Sequence, residues 1–266
     1  MNFPLMTQAA MRRPAKTSAE LRPDPSDRMV QKSPLMRKYT VSALQSDGSA
    51  KNSHHVALAN GQFEAGFSAF ARGALVQTDF GPCAVEDLLP GDPIHTDEYG
   101  AVPLLWIGMM TLMPNAEIAT PDHAPELTKL TRITSDAFGT SYPMPDFLAG
   151  PGARLLQRPL ALRDIAGQGP VFSPARDFVD GVNVIEITPQ TPIPLYHLAL
   201  AHHATITVSG LKVETFHPGK NVDLDMGPNT RALFLSLFPH ITNFSDFGPL
   251  AHPRASLSTL ESLTAA

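Results

Sequence analysis

The chain has 266 residues, 43% of them hydrophobic and only 17% charged, with 26 prolines, 18 glycines, one cysteine and one tryptophan. Cys83 stands alone, which excludes an internal disulfide and a Cys-rich zinc site, since each needs at least two thiolates. Charge is uneven: residues 1–52 carry nine Lys/Arg against four Asp/Glu, and the remainder carries eleven against twenty-one.

Residues 1–38 are rich in Pro, Ser, Arg and Lys and poor in large apolar side chains. That composition cannot offset the entropy of ordering the backbone, so a disordered basic tail is expected there. Arg12, Arg13, Arg37 and Lys38 could meet nucleic acid or another acidic partner, whereas the acidic body argues against nucleic acid as the main partner. The start, Met1-Asn2-Phe3-Pro4-Leu5-Met6, lacks the order of a secretory signal. The longest apolar runs, Ala232–Leu235 and Pro103–Gly108, fall short of the ~18–20 residues that span a bilayer. The expectation is a cytoplasmic protein without membrane contact.

Residues 39–64 read as a β-hairpin lead-in, with Thr40–Leu44 alternating, a turn at Ser46-Asp47-Gly48, and His55–Leu58 returning. Gly73–Thr78, a tight Asp79–Pro82 turn and Val85–Leu88 follow, then Leu89-Pro90-Gly91-Asp92 with the residues of a type II turn. Pro93–Thr96 and Val102–Leu112 read as two further strands. Beyond a proline-rich middle come Leu130–Ile133, Arg154–Leu156, Val182–Ile187, Pro194–Ala201, Ala204–Val208 and Leu211–Phe216. Short strands at this spacing predict an all-β body. In residues 221–266 a helical cap is expected. Asn229 would start a helix over Thr230–Phe238, whose Leu233, Phe234, Leu237 and Phe238 form one stripe, and Ser258–Glu261 has the pattern of a capping box.

Three of these stretches carry a resemblance. Ala69-Phe70-Ala71-Arg72-Gly73-Ala74-Leu75-Val76, then Val85-Glu86-Asp87-Leu88-Leu89-Pro90-Gly91-Asp92, then Leu105-Trp106-Ile107-Gly108, resemble the opening of Hint (hedgehog/intein) domains of the bacterial type. That opening usually reads Cys-Phe-x-x-Gly-Thr-x-Ile, Val-Glu-Asp-Leu-x-x-Gly-Asp and Trp-Ile-Gly. Later counterparts run through Gly150-Pro151-Gly152-Ala153-Arg154 and Val171–Arg176 to Tyr196-His197-Leu198 and Phe216-His217-Pro218-Gly219. The resemblance places a Hint domain at residues 65–220 and implies its all-β fold.

It also implies a self-processing chemistry. A thiol or hydroxyl on the domain's first residue attacks the preceding carbonyl, a Thr-x-x-His element polarises the scissile amide and protonates the departing nitrogen, and splicing members release the chain through a terminal His-Asn. On this chain the nucleophile position falls on Ala69, and Ser68, one residue away, is the possible substitute. The Ser-Pro-x-His-Arg of this branch falls on Gly150–Arg154, so its hydroxyl and imidazole positions hold Gly150 and Ala153. A literal Thr-Pro-Asp-His occurs at Thr120–His123, about 30 residues early. The His-Asn positions hold Glu214 and Thr215.

No catalytic residue is therefore assigned. His197, His203 and His217 are the candidate binding or structural polar positions, and neither a metal nor another cofactor is expected, because no carboxylate stands at a completing spacing. Cys83 reads as a packing residue. The expected role is a binding or interaction module for a protein or small molecule whose identity the residues do not give. The alternatives are self-cleavage near Ser68/Ala69 and binding of acidic partners by the leader.

Overall fold

The structure is a computed structural model that describes residues 35–113, 128–158 and 169–264. The leader up to residue 34 and the Thr120–His123 motif lie outside the described residues. β1 (Met36–Leu44) and β2 (Ala50–Leu58) form an antiparallel hairpin in which Tyr39 faces His55. The turn between them is fixed by Asp47, whose carboxylate accepts from both the backbone and the hydroxyl of Ser49. β1 starts at Met36, so Arg37 and Lys38 stand in a sheet and not in a tail ending at residue 38. Arg37 explains the earlier start: its Nε lies 2.6 Å from Glu64 Oε1, and its NH1 donates to the Thr111 carbonyl at 2.8 Å. Glu64 ends the short helix α1 (Gly61–Glu64). Of the four basic residues expected to meet an acidic partner, Arg37 is thus committed to a buried carboxylate.

The chain then gives β3 (Phe70–Ala71), β4 (Leu75–Thr78), β5 (Gly81–Ala84), β6 (Pro93–Thr96), β7 (Gly100–Pro103) and β8 (Trp106–Leu112). Further on come β9 (Leu130–Ile133), β10 (Phe147–Ala149), β11 (Arg154–Gln157) and β12 (Val171–Pro174). β13 (Val184–Ile187), β14 (Ile193–Ala199), β15 (Thr205–Val208) and β16 (Leu211–Glu214) complete the body. One sheet runs β13-β9-β10-β3-β14-β8-β1-β2, and the other runs β12-β11-β16-β15-β4-β6-β7 with β5 on β4. The named pairings are all antiparallel, which gives the all-β fold expected from the close-set turns.

The stretch Val102–Leu112, expected as one strand, divides at Leu104–Leu105. Pro103 has no N–H to continue a ladder, Leu104 N–H donates to the Asp92 carbonyl, and Leu105 N–H donates to the Ala199 carbonyl. The chain thereby leaves one sheet and enters the other. A second switch between sheets occurs at Gly150–Ala153, which joins β10 of the first sheet to β11 of the second.

Two apolar clusters follow from this arrangement. Between the sheets lie Phe70, Ile133, Phe147 and Leu198 from one side and Val76, Ile94, Leu155, Ile206 and Val213 from the other. On the far face of the first sheet, Tyr39, Val41, Trp106 and Met110 pack against Phe63, Phe67, Phe216, Phe234, Leu237 and Phe238. β8 sends Ile107 into the first cluster and Trp106 into the second, which is why it lacks polar alternation.

The far face is covered by helix α2 (Pro228–Ser236). Its N-cap is Gly227 with Pro228 at the first helical position, so the helix starts earlier than Asn229 would set it. The apolar stripe lies where expected, with Phe234, Leu237 and Phe238 buried. Trp106 Nε1 donates to the Leu237 carbonyl at 2.8 Å, satisfying an end-of-helix acceptor, and the Phe216 and Phe238 rings stack at 5.0 Å. Helix α3 (Leu257–Thr264) is capped by Ser256, whose hydroxyl accepts from Thr259 N–H, two residues before the Ser258 expected as cap. No helix among the described residues is long and apolar enough to cross a membrane.

This packing makes the C-terminal segment part of the core. Phe238→Ala should lower stability by about 3–5 kcal/mol, the usual loss for a fully buried aromatic, read as a fall in the thermal midpoint. A shift of under a degree would show that α2 rests on the sheet without filling it.

Candidate functional site

The Ser68–Ala69 peptide lies where the chain turns out of α1 into β3. Ala69 N–H donates to the Tyr196 carbonyl of β14 at 2.9 Å. From the other side, Gly152 N–H donates to the Ser68 carbonyl at 3.0 Å and Gly150 N–H to the Ala69 carbonyl at 2.9 Å. The stretches expected to hold the nucleophile and the Thr-x-x-His element are therefore in direct backbone contact, and Ala69 and Ala153 are both buried in the cluster between the sheets.

The two glycines are required by how close the backbones come. A Cβ on Gly150 would overlap the Ser68 carbonyl oxygen, and one on Gly152 would sit 2.8 Å from the Ala65 carbonyl and 3.0 Å from Ser68 Oγ. The position that carries a hydroxyl in the resembled pattern is thus closed by the very carbonyl that such a hydroxyl would serve. One electrophilic element remains, the Gly152 N–H on the Ser68 carbonyl. The Ala69 methyl offers no nucleophile, and the Ala153 methyl offers no proton to the departing nitrogen. Ser68 itself is buried, and among the described residues its Oγ has no hydrogen-bond partner.

Of the three histidines, His203 and His217 meet edge-on with ring centroids 5.3 Å apart, and His197 packs between Phe70 and Phe216. His197, on β14, uses Nδ1 to donate to the Ala65 carbonyl at 2.9 Å and stands edge-on to Phe70 and Phe216. Burial holds this ring neutral, with its pKa lowered to about 4. His203 accepts from Ala251 N–H on Nδ1 at 2.9 Å, so its Nε2 is the donor to Glu214 Oε1, also at 2.9 Å. His217 accepts from Gly219 N–H on Nδ1 and donates from Nε2 to the Gly248 carbonyl, and burial lowers its pKa to about 4.

Around Glu214 these groups make a buried cluster. Its carboxylate also receives Arg254 Nε at 2.8 Å and has Arg154 NH1 at 3.6 Å. Burial alone would raise its pKa, but the His203 hydrogen bond and the two arginines overcome that and bring it to about 2. Both ring nitrogens of His203 and of His217 are engaged, leaving no lone pair for a metal. Among the described residues no group of three His, Cys, Asp or Glu side chains has ligating geometry. Thr215 is likewise committed, since its hydroxyl accepts from Ala204 N–H and its own N–H donates to the Ala204 carbonyl.

A family model for the Hint domain matches residues 68–220, from the Ser68–Ala69 peptide to just beyond Gly219. The chain belongs to the Hint domain family. Among solved structures, a bacterial intein-like domain from Clostridium thermocellum, determined in solution, aligns at 13% identity and a TM-score of 0.38 over 56% of this chain and 99% of its own. A splice-inactive variant of the AceL NrdHF class 3 split intein aligns at 12% identity and 0.36 over 56% and 97%. No curated protein matches the chain significantly.

Within this Hint domain Cys83 sits on β5 opposite Val76 and packs against the cluster between the sheets. Burial, aided by the carboxylates of Asp92, Asp87 and Glu86, pushes its thiol pKa up, so little thiolate forms. Sequence reasoning missed Arg154 and Arg254 as partners of Glu214, and it took Glu214 only as a replacement for a lost histidine.

Gly150→Ser should lower the thermal midpoint by several degrees, because its Cβ meets backbone that cannot yield cheaply. Ser68→Ala should be neutral or stabilising by up to about 1 kcal/mol, since it removes an unpaired buried hydroxyl. A neutral Gly150→Ser would contradict the close approach.

Acid should weaken the fold in two steps. His197 and His217 have pKa values near 4 when folded and 6.5 ordinarily, so the unfolded chain binds more protons between those limits and stability falls as pH drops from about 6.5 to 4. Glu214 adds a further loss between about 4.5 and 2. Urea midpoints at pH 7, 5 and 4 check this, and equal midpoints at pH 7 and 4 would contradict it.

Proposed function

We propose that this Hint domain has lost self-cleavage and splicing and serves as a binding or interaction module. In this reading residues 65–220 are the Hint shell, residues 39–64 lead into it, and residues 221–266 cap it. The observation that carries the reading is the seam at Ser68–Ala69: the peptide that should be cut is held by two backbone hydrogen bonds, with a third on the next carbonyl, and methyl groups stand where a nucleophile and an imidazole are needed. Splicing is disfavoured separately, because Thr215 stands where asparagine would cyclise.

A second reading has one observation in its favour. The Ser68 hydroxyl is buried and unpaired, and its attack on the Phe67 carbonyl would convert the Phe67–Ser68 amide into an ester. That shift needs a base for the hydroxyl proton and an acid for the departing Ser68 nitrogen. The nearby His197 already spends Nδ1 on the Ala65 carbonyl, and burial opposes its protonation.

Intact mass separates the two. The purified chain, incubated for days with dithiothreitol or hydroxylamine, should remain one species of full mass. A fragment beginning at residue 68 or 69 would overturn the inactive reading.

A further inference from the structure

The tail of the chain makes a single parallel bridge to the edge of the second sheet. Arg254 pairs in parallel with Phe172 of β12: Phe172 N–H donates to the Pro253 carbonyl at 2.9 Å, and Ala255 N–H donates to the Phe172 carbonyl at 3.0 Å. Three further polar contacts of this segment also use its backbone. Ala251 N–H donates to His203 Nδ1 at 2.9 Å, Leu257 N–H to Asp177 Oδ2 at 3.0 Å, and the Ser173 hydroxyl donates to the Ala255 carbonyl at 2.7 Å. Contacts of this kind accept almost any sequence, and discrimination comes from the side chains that find sockets. Here there are two: His252, with Nε2 3.1 Å from Glu98 Oε1, and Arg254.

Arg254 is read closely. Its Nε donates to Glu214 Oε1 and its NH2 to the His217 carbonyl, both at 2.8 Å, so the planar fork is matched by a carboxylate and a carbonyl at once. A lysine could not reproduce this pair of contacts.

The socket is built without the tail. Glu214 comes from β16, Arg154 from β11, His203 from the turn before β15, and Ser173 from β12. When Arg254 leaves, Glu214 keeps its hydrogen bond to His203 and its charge partner Arg154, so the carboxylate is not stranded. The apolar hold on the segment is small by comparison, with buried Leu260 on Val171 flanked by Ala255 and Leu257.

We propose that the β12 edge and the Glu214–His217 socket form a binding site for an extended, arginine-bearing segment of polypeptide, filled in cis by residues 251–257 and open to a partner of the same pattern when that segment lifts. This rests on the reading of the chain as a binding module. The tethered occupant competes at an effective concentration on the order of millimolar, so a free peptide binds the native chain weakly and a chain with a loosened tail more tightly.

The test uses the full chain and two fluorescein-labelled peptides, one with the sequence of residues 249–260 and one with alanine in place of its arginine. Fluorescence anisotropy is measured with the native chain and with the Arg254→Ala and Leu260→Ala variants. The second variant loosens the tail without substituting any partner of Glu214. The arginine peptide should bind the variants at least about tenfold more tightly than the native chain, and the alanine peptide should bind at least about tenfold more weakly than the arginine peptide. Variants that melt cooperatively yet bind both peptides equally, or neither, overturn the proposal. So does failure of both variants to fold, which would make the tail an inseparable part of the body. Intact mass of the same samples keeps the two readings apart: a fragment beginning near residue 68 counts against the inactive Hint domain, whereas an uncut chain that ignores the arginine peptide counts against the socket alone.

Discussion

The close backbone approach between Ser68–Ala69 and Gly150–Gly152 is the contact on which the rest of the structure turns. It is one of the places where the first sheet hands the chain to the second, and its Ala69 and Ala153 side chains lie in the cluster between them. Two hydrogen bonds across a gap too narrow for a Cβ at residue 150 make it a structural joint. In a self-processing domain the same joint must also admit a hydroxyl, an imidazole and a nucleophile. Here those positions hold Ala69, Gly150 and Ala153, and the Ser68 carbonyl fills the space that a Cβ at residue 150 would need. One backbone donor, the Gly152 N–H, stands on that carbonyl.

The second organising contact is the Glu214 carboxylate. A buried charge is tolerable only when its partners are placed beforehand, and removal of one partner usually costs more than the pair contributes. Glu214 has three, drawn from β11, from the turn before β15 and from a tail 40 residues further on. The chain that follows the Hint domain is thus folded back into it twice. Phe234 and Phe238 fill the far face of one sheet, and Arg254 reaches the end of the other. The first attachment is broad and apolar, while the second is narrow and polar. That difference in kind underlies the proposal that the first is a fixed part of the core and the second an exchangeable occupant.

Much of the fold was legible in the sequence because it is written in local terms. The Thr40–Leu44 alternation, the Asp47-Gly48 turn and the Leu233, Phe234, Leu237, Phe238 stripe each depend on neighbours within a few residues, and each lies where those neighbours put it. The departures have tertiary causes. Val102–Leu112 breaks because Leu104 and Leu105 find acceptors in different sheets, and β1 begins early because Arg37 meets Glu64. At the site, the positions of Ala69 and Ala153 in the resembled pattern could be read from spacing to Gly73 and Arg154. That Gly150 is closed by the Ser68 carbonyl could not, since the approach exists only after two distant strands pair. Nor could Arg254 be matched to Glu214, because nothing in a Pro-Arg-Ala stretch near the end of the chain announces a buried carboxylate.

Whether the seam is packed in solution is measured directly by amide hydrogen exchange resolved at Ala69, Gly150 and Gly152. If the seam is the joint between the sheets, these three amides exchange only through global unfolding, as slowly as the central strands β8 and β14. Rapid exchange at Gly150 and Gly152, with β8 and β14 still protected, would reveal an open cleft at the Ser68–Ala69 peptide and contradict the account.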